Sequence, residues 1–319
     1  MTGDAISAVV PVYNSATTLA ELVERIRHVL EAVGREWEIV LVNDGSADAS
    51  WDGIASLAAA DDRVRGVDLM RNYGQHNALL AGIRFARYPI VVTLDDDLQN
   101  PPEEIPKLLA KLDEGFDVVY GTFSERKFGF WRNVGTAITK LALRWVIGSD
   151  IAAKVSAFRA FRTNLRGAFA TYNAPYVSID VLLSWGTTRF GSVPVAHAAR
   201  AEGRSSYGFA RLANHALNVM TGFSTRPLRF ASLIGLTFTL FGFVVLAIVL
   251  GTYFVEGGSV PGFPFLASVI AIFSGAQLLT LGIIGEYLAR MHLRVMDRPP
   301  FAVRDEVGAP TREEVGSAG

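Results

Sequence analysis

The chain has 319 residues, a formal net charge of −1 and no cysteine. Its 30 basic and 31 acidic side chains are nearly balanced and include no long basic run, which argues against a nucleic-acid partner. The lack of cysteine excludes disulfides, zinc–thiolate sites and a cysteine nucleophile. Hydrophobic residues make up 50% of the chain, and the apolar excess is concentrated towards the C-terminus.

The first 120 or so residues alternate short apolar runs with helical patterns. We predict strands at 6–14, 37–42, 64–70, 90–94 and 117–121, with amphipathic helices following the first four. Buried strands joined by helices indicate an α/β fold with a mostly parallel sheet, right-handed crossovers and helices on both faces. Further strands are predicted at 155–162 and 190–199, with a helix at 176–185 between them.

The segment at 90–102 places three carboxylates directly after a buried apolar run. Asp95, Asp96 and Asp97 follow the run, and Gln99 comes two residues after the last of them. In an extended chain Asp95, Asp97 and Gln99 share one face. Oxygen ligands of this kind suit Mg²⁺ or Mn²⁺ held jointly by the protein and by substrate phosphates. We therefore predict a metal site here, and the alternative is a solvated acidic turn that caps the next helix.

Polar side chains also follow the first three predicted strands. Tyr13 and Asn14, then Asp44, then Asn72 each come where an apolar run ends. The carboxyl ends of parallel strands meet at one edge of a sheet, where open α/β folds bind ligands. The sequence has neither a G-x-G-x-x-G after the first strand nor a Walker phosphate loop. Each cluster alone is explained by turn chemistry, but their recurrence after successive strands favours a nucleotide site.

Two apolar segments dominate the C-terminal third. Residues 230–255 and 263–285 carry no charged side chain, and each is long enough to span a bilayer. The turn between them has no Lys or Arg, whereas both outer flanks carry several arginines, so the positive-inside rule places both ends in the cytoplasm. The N-terminus shows no signal-peptide pattern, and we expect the first domain to remain cytoplasmic.

These patterns divide the chain into four predicted regions. They are a cytoplasmic α/β domain at 1–205, a juxtamembrane amphipathic helix at 206–229, two transmembrane helices at 230–287 (about 230–255 and 263–287), and a largely disordered cytoplasmic tail at 288–319. A further amphipathic helix at 127–147 either rests on a membrane surface or packs on the sheet.

Segments along nearly the whole chain resemble the family 2 glycosyltransferases of the GT-A fold, and most closely the polyprenyl-phosphate sugar transferases. Within these, the branch that transfers 4-deoxy-4-formamido-arabinose or glucose to undecaprenyl phosphate is the most similar. The matching segments are P-V-Y-N at 11–14, N-D-G-S at 43–46, R-N-Y-G-Q-H at 71–76, L-D-D-D-L-Q-N-P-P-E-E-I-P at 94–106, F-R-A-F-R at 158–162, T-G-F-S-T-R-P-L-R at 221–229 and G-E-Y at 285–287.

The resemblance implies a GT-A-type nucleotide-binding sheet followed by interface helices and a transmembrane hairpin. It also implies transfer of one sugar, with inversion, from a nucleotide sugar to polyprenyl phosphate, with a UDP-linked donor favoured. The implied nucleotide-sugar-binding residues are Pro11, Tyr13, Asn14, Asp44, Asn72, Gln75, Asp95 and Asp96. The implied metal ligands are Asp95, Asp97 and Gln99, the catalytic residues are Asp97, Arg159 and Arg200, and the acceptor phosphate would meet Arg159, Arg200 and Arg204.

The sequence departs from the family pattern at four positions. Ser15 stands where Glu is usual, Asp96 where Ala is usual, Ala153 where Asp is common, and Ser206 where Lys completes a G-x-S-K loop. Two other functions remain open at this stage. One is a membrane-tethered nucleotide-sugar-binding scaffold without turnover. The other is a processive polysaccharide synthase, which is disfavoured because such enzymes carry more spans and a Q-x-x-R-W motif. Assembly into homo-oligomers through the apolar segments also stays open.

Overall fold

The computed structural model describes residues 4–122, 148–152, 154–196, 220–256 and 262–308. The amphipathic helix predicted at 127–147 lies outside these residues, as does most of the helix predicted at 206–229. In chain order the described strands and α-helices are β1 (Ile6–Val12), α1 (Leu19–Val33), β2 (Trp37–Asn43), α2 (Ser50–Ala60), β3 (Val64–Leu69), α3 (Gln75–Phe85), β4 (Ile90–Thr93), α4 (Ile105–Asp113), β5 (Val118–Thr122), α5 (Ser149–Ala152), β6 (Arg159–Arg162), α6 (Ile179–Gly186), β7 (Phe190–Pro194), α7 (Arg226–Glu256), α8 (Phe263–Val295) and β8 (Val303–Val307).

The strands form one eight-stranded sheet in the order β7-β5-β6-β4-β1-β2-β3-β8. The pairs β1–β2, β1–β4, β2–β3 and β5–β7 are parallel, whereas β6 and β8 run antiparallel to their neighbours. The predicted α/β class with a mostly parallel sheet is confirmed.

Both faces of the sheet are buried, which explains the nearly unbroken apolar strands. In β1, Ala8 and Val10 pack in the core that contains α1 and α4, whereas Val9 packs in the core that contains α3. The same alternation divides Ile39 and Val40 of β2 between the two cores. A strand with apolar neighbours on both sides has no solvated face, and so it shows no alternating polar pattern.

The strand order reverses at β1. The chain runs from β1 to β2 and β3 on one side, and then crosses back to place β4 on the other side of β1. The carboxyl ends of β1 and β4 therefore flank a topological switch point, where a crevice forms because the two following loops lead to different sides.

The C-terminal segment is a correction to the sequence-based prediction of a disordered tail. Helix α8 continues to Val295, and β8 (Val303–Val307) pairs antiparallel with β3. The backbone N–H of Met70 donates to the carbonyl of Ala302 at 2.9 Å, and Arg304 donates to Asp68 at 3.2 Å. The charged run 304–306 does not look like a strand in the sequence, but an edge strand tolerates exposed charges. Such charges also prevent another strand from pairing with the edge.

Helices α7 and α8 are confirmed as two long apolar helices. By length and composition both could cross a membrane, and the most apolar 18-residue stretch of each contains no buried residue. They contact one another through aromatic side chains, including an edge-to-face pair of Phe238 and Phe273 with ring centroids 5.5 Å apart. An exposed apolar surface of this extent requires either lipid or a partner to cover it.

Candidate functional site

A cleft of about 600 Å³ opens at the switch point between β1 and β4. It is formed by the loops that follow β1, β2, β3 and β4, so the topology alone brings together side chains up to 86 residues apart. Its lining residues are Pro11, Val12, Tyr13, Asp44, Asn72, Gly74, Gln75, Asp95, Asp96 and Asp97. Apart from Asn14, the predicted nucleotide-sugar-binding residues share this cleft, and their binding of such a ligand stays a prediction.

Asp44 fixes the floor of the cleft. Its side chain is 3% exposed, and its carboxylate accepts hydrogen bonds from the backbone N–H groups of Tyr73 at 2.7 Å and Gly74 at 2.9 Å. Burial raises the pKa of Asp44 from 3.8 to about 6, although the two backbone donors oppose that rise. The carboxylate therefore holds the loop after β3 against the loop after β2.

Gly45 allows these two loops to approach each other closely. It has a φ of +66°, and a Cβ atom at this position would lie 2.5 Å from the carbonyl carbon of Arg71 and from the nitrogen of Asn72. A side chain larger than hydrogen would therefore push Asn72 away from the cleft.

Asp96 ties the loop after β4 to the loop after β1. Its carboxylate accepts hydrogen bonds from the N–H of Tyr13 at 2.9 Å and from the hydroxyl of Ser15 at 2.5 Å. Its backbone carbonyl accepts one from the hydroxyl of Thr18 at 3.1 Å. Burial raises the pKa of Asp96, and the bond from Ser15 opposes this rise. The middle aspartate thus shapes one wall of the cleft through its contacts with the β1 loop.

Asp95 and Asp97, like Asp96 between them, are partly exposed. The side-chain amide of Gln75 donates to Asp95 at 2.5 Å, and the backbone N–H of Gln99 donates to Asp97 at 3.1 Å. Both acids line the cleft, and carboxylate oxygens are ligands that a hard cation prefers.

Gln99 follows Asp97 in the turn after β4, and its role as a metal ligand stays a prediction. It is not among the residues that line the cleft, and its backbone N–H donates to Asp97. Strand β4 ends at Thr93 and the chain then turns, with Leu98 in a left-handed conformation (φ 58°).

Asn14 also lies outside the cleft. Its backbone N–H donates to the hydroxyl of Ser46 at 3.0 Å, and its side-chain oxygen accepts from the N–H of Ala47 at 2.8 Å. Asn14 adopts a φ of +54°, in the left-handed region that asparagine tolerates better than most residues. Its described contacts therefore join the β1 and β2 loops, and its contact with the nucleotide sugar stays a prediction.

Arg159 lies in a buried network, and its predicted catalytic and phosphate-binding roles stay predictions. Its side chain is 1% exposed, its guanidinium forms an ion pair with Asp180, and its Nε donates to the hydroxyl of Thr93 at 3.0 Å. The hydroxyl of Tyr120 donates to the same aspartate at 3.0 Å, and burial raises the pKa of Tyr120 well above its usual value. Strand β6 directs Arg159 towards α6, where it joins this network.

Sequence periodicity does not reveal the partner of Arg159. One signal is Asp180 itself, a single acid inside the apolar run 179–183, because a buried charge requires a partner of opposite sign. Arg200 and Arg204, the remaining predicted phosphate contacts, lie outside the described residues, as do Ala153 and Ser206.

Comparisons with known proteins agree with this architecture. Residues 7–165 match the family model described as Glycosyl transferase family 2, and this part of the chain is therefore a glycosyl transferase family 2 domain. A solved structure of glucosyl-3-phosphoglycerate synthase from Mycobacterium tuberculosis, in complex with Mn²⁺, UDP-glucose and phosphoglyceric acid, has a TM-score of 0.52 and 18% identity, over 69% of this chain and 79% of that chain.

Two other structures give similar values. The same synthase in complex with Mn²⁺, UDP and phosphoglyceric acid has a TM-score of 0.52 and 18% identity, over 69% of this chain and 77% of that chain. A structure described as a mycobacterial protein has a TM-score of 0.52 and 20% identity, over 69% of this chain and 73% of that chain. At these identities the likeness establishes the GT-A fold, and the residues of the cleft must be argued on their own chemistry.

Proposed function

Starting from a glycosyl transferase family 2 domain, we propose that this chain transfers a single sugar from a nucleotide sugar to a polyprenyl phosphate at the cytoplasmic face of a membrane. A UDP-linked donor is favoured. The observation that carries the proposal is the position of Asp95 and Asp97, which lie with Asp44 and Asn72 around one cleft at the switch point of a GT-A sheet.

The cleft suits a nucleotide sugar. Its volume of about 600 Å³ is that of a typical small-molecule site. Tyr13 is 50% exposed at the rim and offers an aromatic face to a base, while the amides of Asn72 and Gln75 offer hydrogen bonds to sugar or ribose hydroxyls. Solved structures with this fold contain UDP-glucose and Mn²⁺.

The acids of the cleft fit a divalent cation shared with the donor. Within the described residues no three His, Cys, Asp or Glu side chains converge on one point, so the protein alone offers no closed metal cage there. Mg²⁺ in such enzymes is held by one or two carboxylates plus substrate phosphates, and Asp95 and Asp97 provide that number. A bound Mg²⁺ or Mn²⁺ would stabilise the charge of the departing nucleotide diphosphate.

The C-terminal helices support a lipid acceptor and a membrane location. Helices α7 and α8 expose apolar surface along a length that matches a bilayer. Arg226 and Arg229 lie at the start of α7, Arg294 lies in the last turn of α8, and residues 257–262 between the helices contain no Lys or Arg. This asymmetry supports a hairpin with both ends on the cytoplasmic side, and we propose that the donor cleft faces the same side.

The chemistry needs no general base. A phosphate monoester has a second pKa of about 6 and is mostly a dianion at neutral pH. Its oxygen forms the new bond to the anomeric carbon, while the bond from that carbon to the diphosphate breaks and the diphosphate leaves with the electron pair. The protein has to hold the two anions in line, and positioning alone contributes several kcal/mol to such a step. Direct displacement predicts inversion at the anomeric carbon.

The test is turnover by the full chain in detergent with undecaprenyl phosphate, Mg²⁺ or Mn²⁺ and a panel of UDP- and GDP-sugars. We expect one lipid-linked sugar in the mass spectrum, lost with EDTA and reduced at least about a hundredfold by Asp97→Asn. Asp52→Asn removes a carboxylate from the exposed face of α2 and serves as the matched control.

Three outcomes would contradict the proposal. Nucleotide binding without turnover of any donor would favour a scaffold. Polymeric product would favour a processive synthase. Full activity of Asp97→Asn would show that the reaction does not need the carboxylate of the acidic segment.

A further inference from the structure

A second cavity, of about 230 Å³, adjoins the donor cleft. It is bounded by the loop after β3, by Tyr176 before α6, and by the segment that leads from α8 to β8. Asn72 lines both this cavity and the donor cleft. Two arginines, Arg71 and Arg298, also line the second cavity, and we refer to it as the basic cavity.

The two spaces have opposite charge. Four aspartates line the donor cleft and neither Arg nor Lys does so among the described residues, whereas the basic cavity has its two arginines and, over the same part of the chain, neither Asp nor Glu. Neither Arg71 nor Arg298 forms an ion pair with a described carboxylate. Arg71 lies over the ring of Tyr73, with its guanidinium carbon 4.6 Å from the ring centroid. An anion placed here would gain two charge-assisted partners at no expense to existing ion pairs.

A third cavity, of about 320 Å³, continues from the basic cavity towards the apolar helices. The two share Pro175, Tyr176 and Leu293. The third cavity has an aromatic wall in which the rings of Tyr172, Trp185 and Phe223 lie 5.6–6.3 Å apart. We refer to it as the aromatic cavity. Its lining includes several residues of α8, from Tyr287 to Arg294, and it therefore ends at the base of the helix pair.

We propose that the basic and aromatic cavities together form the acceptor site, with a phosphate monoester held by Arg71 and Arg298 and the adjoining part of its apolar chain on the aromatic wall. This inference rests on the proposed function and deepens it. The order of the spaces is the order that the reaction requires, because Asn72 separates the donor cleft from the phosphate and the aromatic cavity leads from the phosphate to the lipid-facing helices.

The occupant is a lipid phosphate, and the shape of the site distinguishes it from a soluble phosphate. A soluble acceptor would be satisfied by the basic cavity alone. The lining of the aromatic cavity also includes Arg290 and Arg294, but its aromatic wall would not be used by a soluble phosphate. The cavity joins the basic cavity through three shared residues and ends on a helix whose outer surface is apolar. Apolar burial along that wall would add affinity in proportion to the chain that it covers.

The test measures steady-state kinetics and lipid binding separately, with the full chain in detergent. Arg71→Gln and Arg298→Gln remove the charges, and Leu293→Trp fills the junction of the two cavities. Arg27→Gln, at a surface ion pair with Glu24 on α1, is the matched control. We expect each test variant to raise the KM for undecaprenyl phosphate about tenfold or more, with the donor KM and UDP affinity within about twofold of wild type.

Binding of undecaprenyl phosphate without donor, measured by native mass spectrometry, gives a readout that does not depend on turnover. Loss of binding in the arginine variants supports the site, even if no donor in the panel reacts and the proposed function fails. If wild type turns over and the variants keep their lipid KM and binding, the acceptor site is elsewhere while the proposed function stands. If phosphatidylglycerol binds as tightly as undecaprenyl phosphate and its binding also depends on the two arginines, the cavities are a general site for anionic lipids. That result would overturn the inference.

Discussion

The hydroxyl of Ser15 donates a 2.5 Å hydrogen bond to the carboxylate of Asp96, which lies 81 residues further along the chain. These are two of the positions at which the sequence departs from the pattern of the polyprenyl-phosphate transferases. In the structure these two residues contact each other. The family pattern has an acid at the position of Ser15, and in this chain the acid is Asp96 on the facing loop. The β1 and β4 loops thus keep a carboxylate between them.

This contact predicts that moving the acid from position 96 to position 15 restores UDP affinity. Asp96→Ala leaves the N–H of Tyr13 and the hydroxyl of Ser15 without their partner, and we expect a loss of about 1.5–3 kcal/mol in the free energy of unfolding and weaker UDP binding. Ser15→Ala should cost less, about 0.5–1.5 kcal/mol. The double variant Ser15→Glu/Asp96→Ala should recover UDP affinity, measured by calorimetry with Mn²⁺. If the exchange binds no better than Asp96→Ala alone, the two positions do not compensate each other.

The network of Arg159 and Asp180 predicts a role in stability. Asp180→Ala or Arg159→Ala leaves an uncompensated buried charge, and we expect either to lower the free energy of unfolding by about 3–5 kcal/mol. The double variant Arg159→Met/Asp180→Leu removes both charges and should recover most of this loss, as followed by urea unfolding in detergent. A stable Arg159→Ala protein with a raised lipid KM would instead support the contact between Arg159 and the acceptor phosphate that the sequence predicts.

The raised pKa of Asp44 predicts a pH dependence of stability. Because the pKa of this acid is about 6 in the folded protein against 3.8 ordinarily, the protonated carboxyl favours the folded state. That contribution is complete below about pH 4 and is lost as pH rises through about 6; it amounts to at most about 3 kcal/mol. Thermal unfolding of wild type and Asp44→Asn between pH 4 and 7.5 should therefore show wild type losing stability relative to the variant. A constant difference across this range would contradict the assignment.

Asn77 predicts how the C-terminal segment is held to the sheet domain. Its side-chain amide donates to the carbonyls of Pro175 at 3.0 Å and Pro300 at 2.6 Å, and so joins α3 to the segments before α6 and β8. Asn77→Ala leaves these acceptors unpaired and should cost about 1–3 kcal/mol of unfolding free energy. Asn173→Ala, which removes an exposed amide bonded to Asp297, is the matched control and should change stability by less than about 0.5 kcal/mol. Equal effects of the two substitutions would remove Asn77 from this role.

The cleft could be predicted from the sequence because strand direction and strand order determine which loops meet there. Once β1 to β4 are placed in a parallel sheet, Tyr13, Asp44, Asn72 and Asp95 must come to one edge. No side-chain detail is needed for that conclusion, only the apolar runs and the helices between them.

The sequence is less informative where long-range contacts override the local pattern. Strand β4 ends at Thr93, before the positions to which its period-two pattern is extended, and the buried partner of Arg159 lies 21 residues away. Strand β8 carries too few apolar residues to be recognised alone, and it is stable because β3 offers an open edge. Sequence periodicity contains no information about partners of this kind.

The most direct test of the lipid acceptor supplies wild-type protein with two acceptors in one reaction. One reaction contains the labelled donor that is active in the panel, Mn²⁺, undecaprenyl phosphate and phosphoglyceric acid, and the label is then counted in the organic and aqueous phases. We expect label in the organic phase, lost with EDTA and reduced about tenfold or more by Arg298→Gln at lipid concentrations below the wild-type KM. Labelled product that stays in the aqueous phase, with no dependence on Arg298, would contradict both the lipid acceptor and its site.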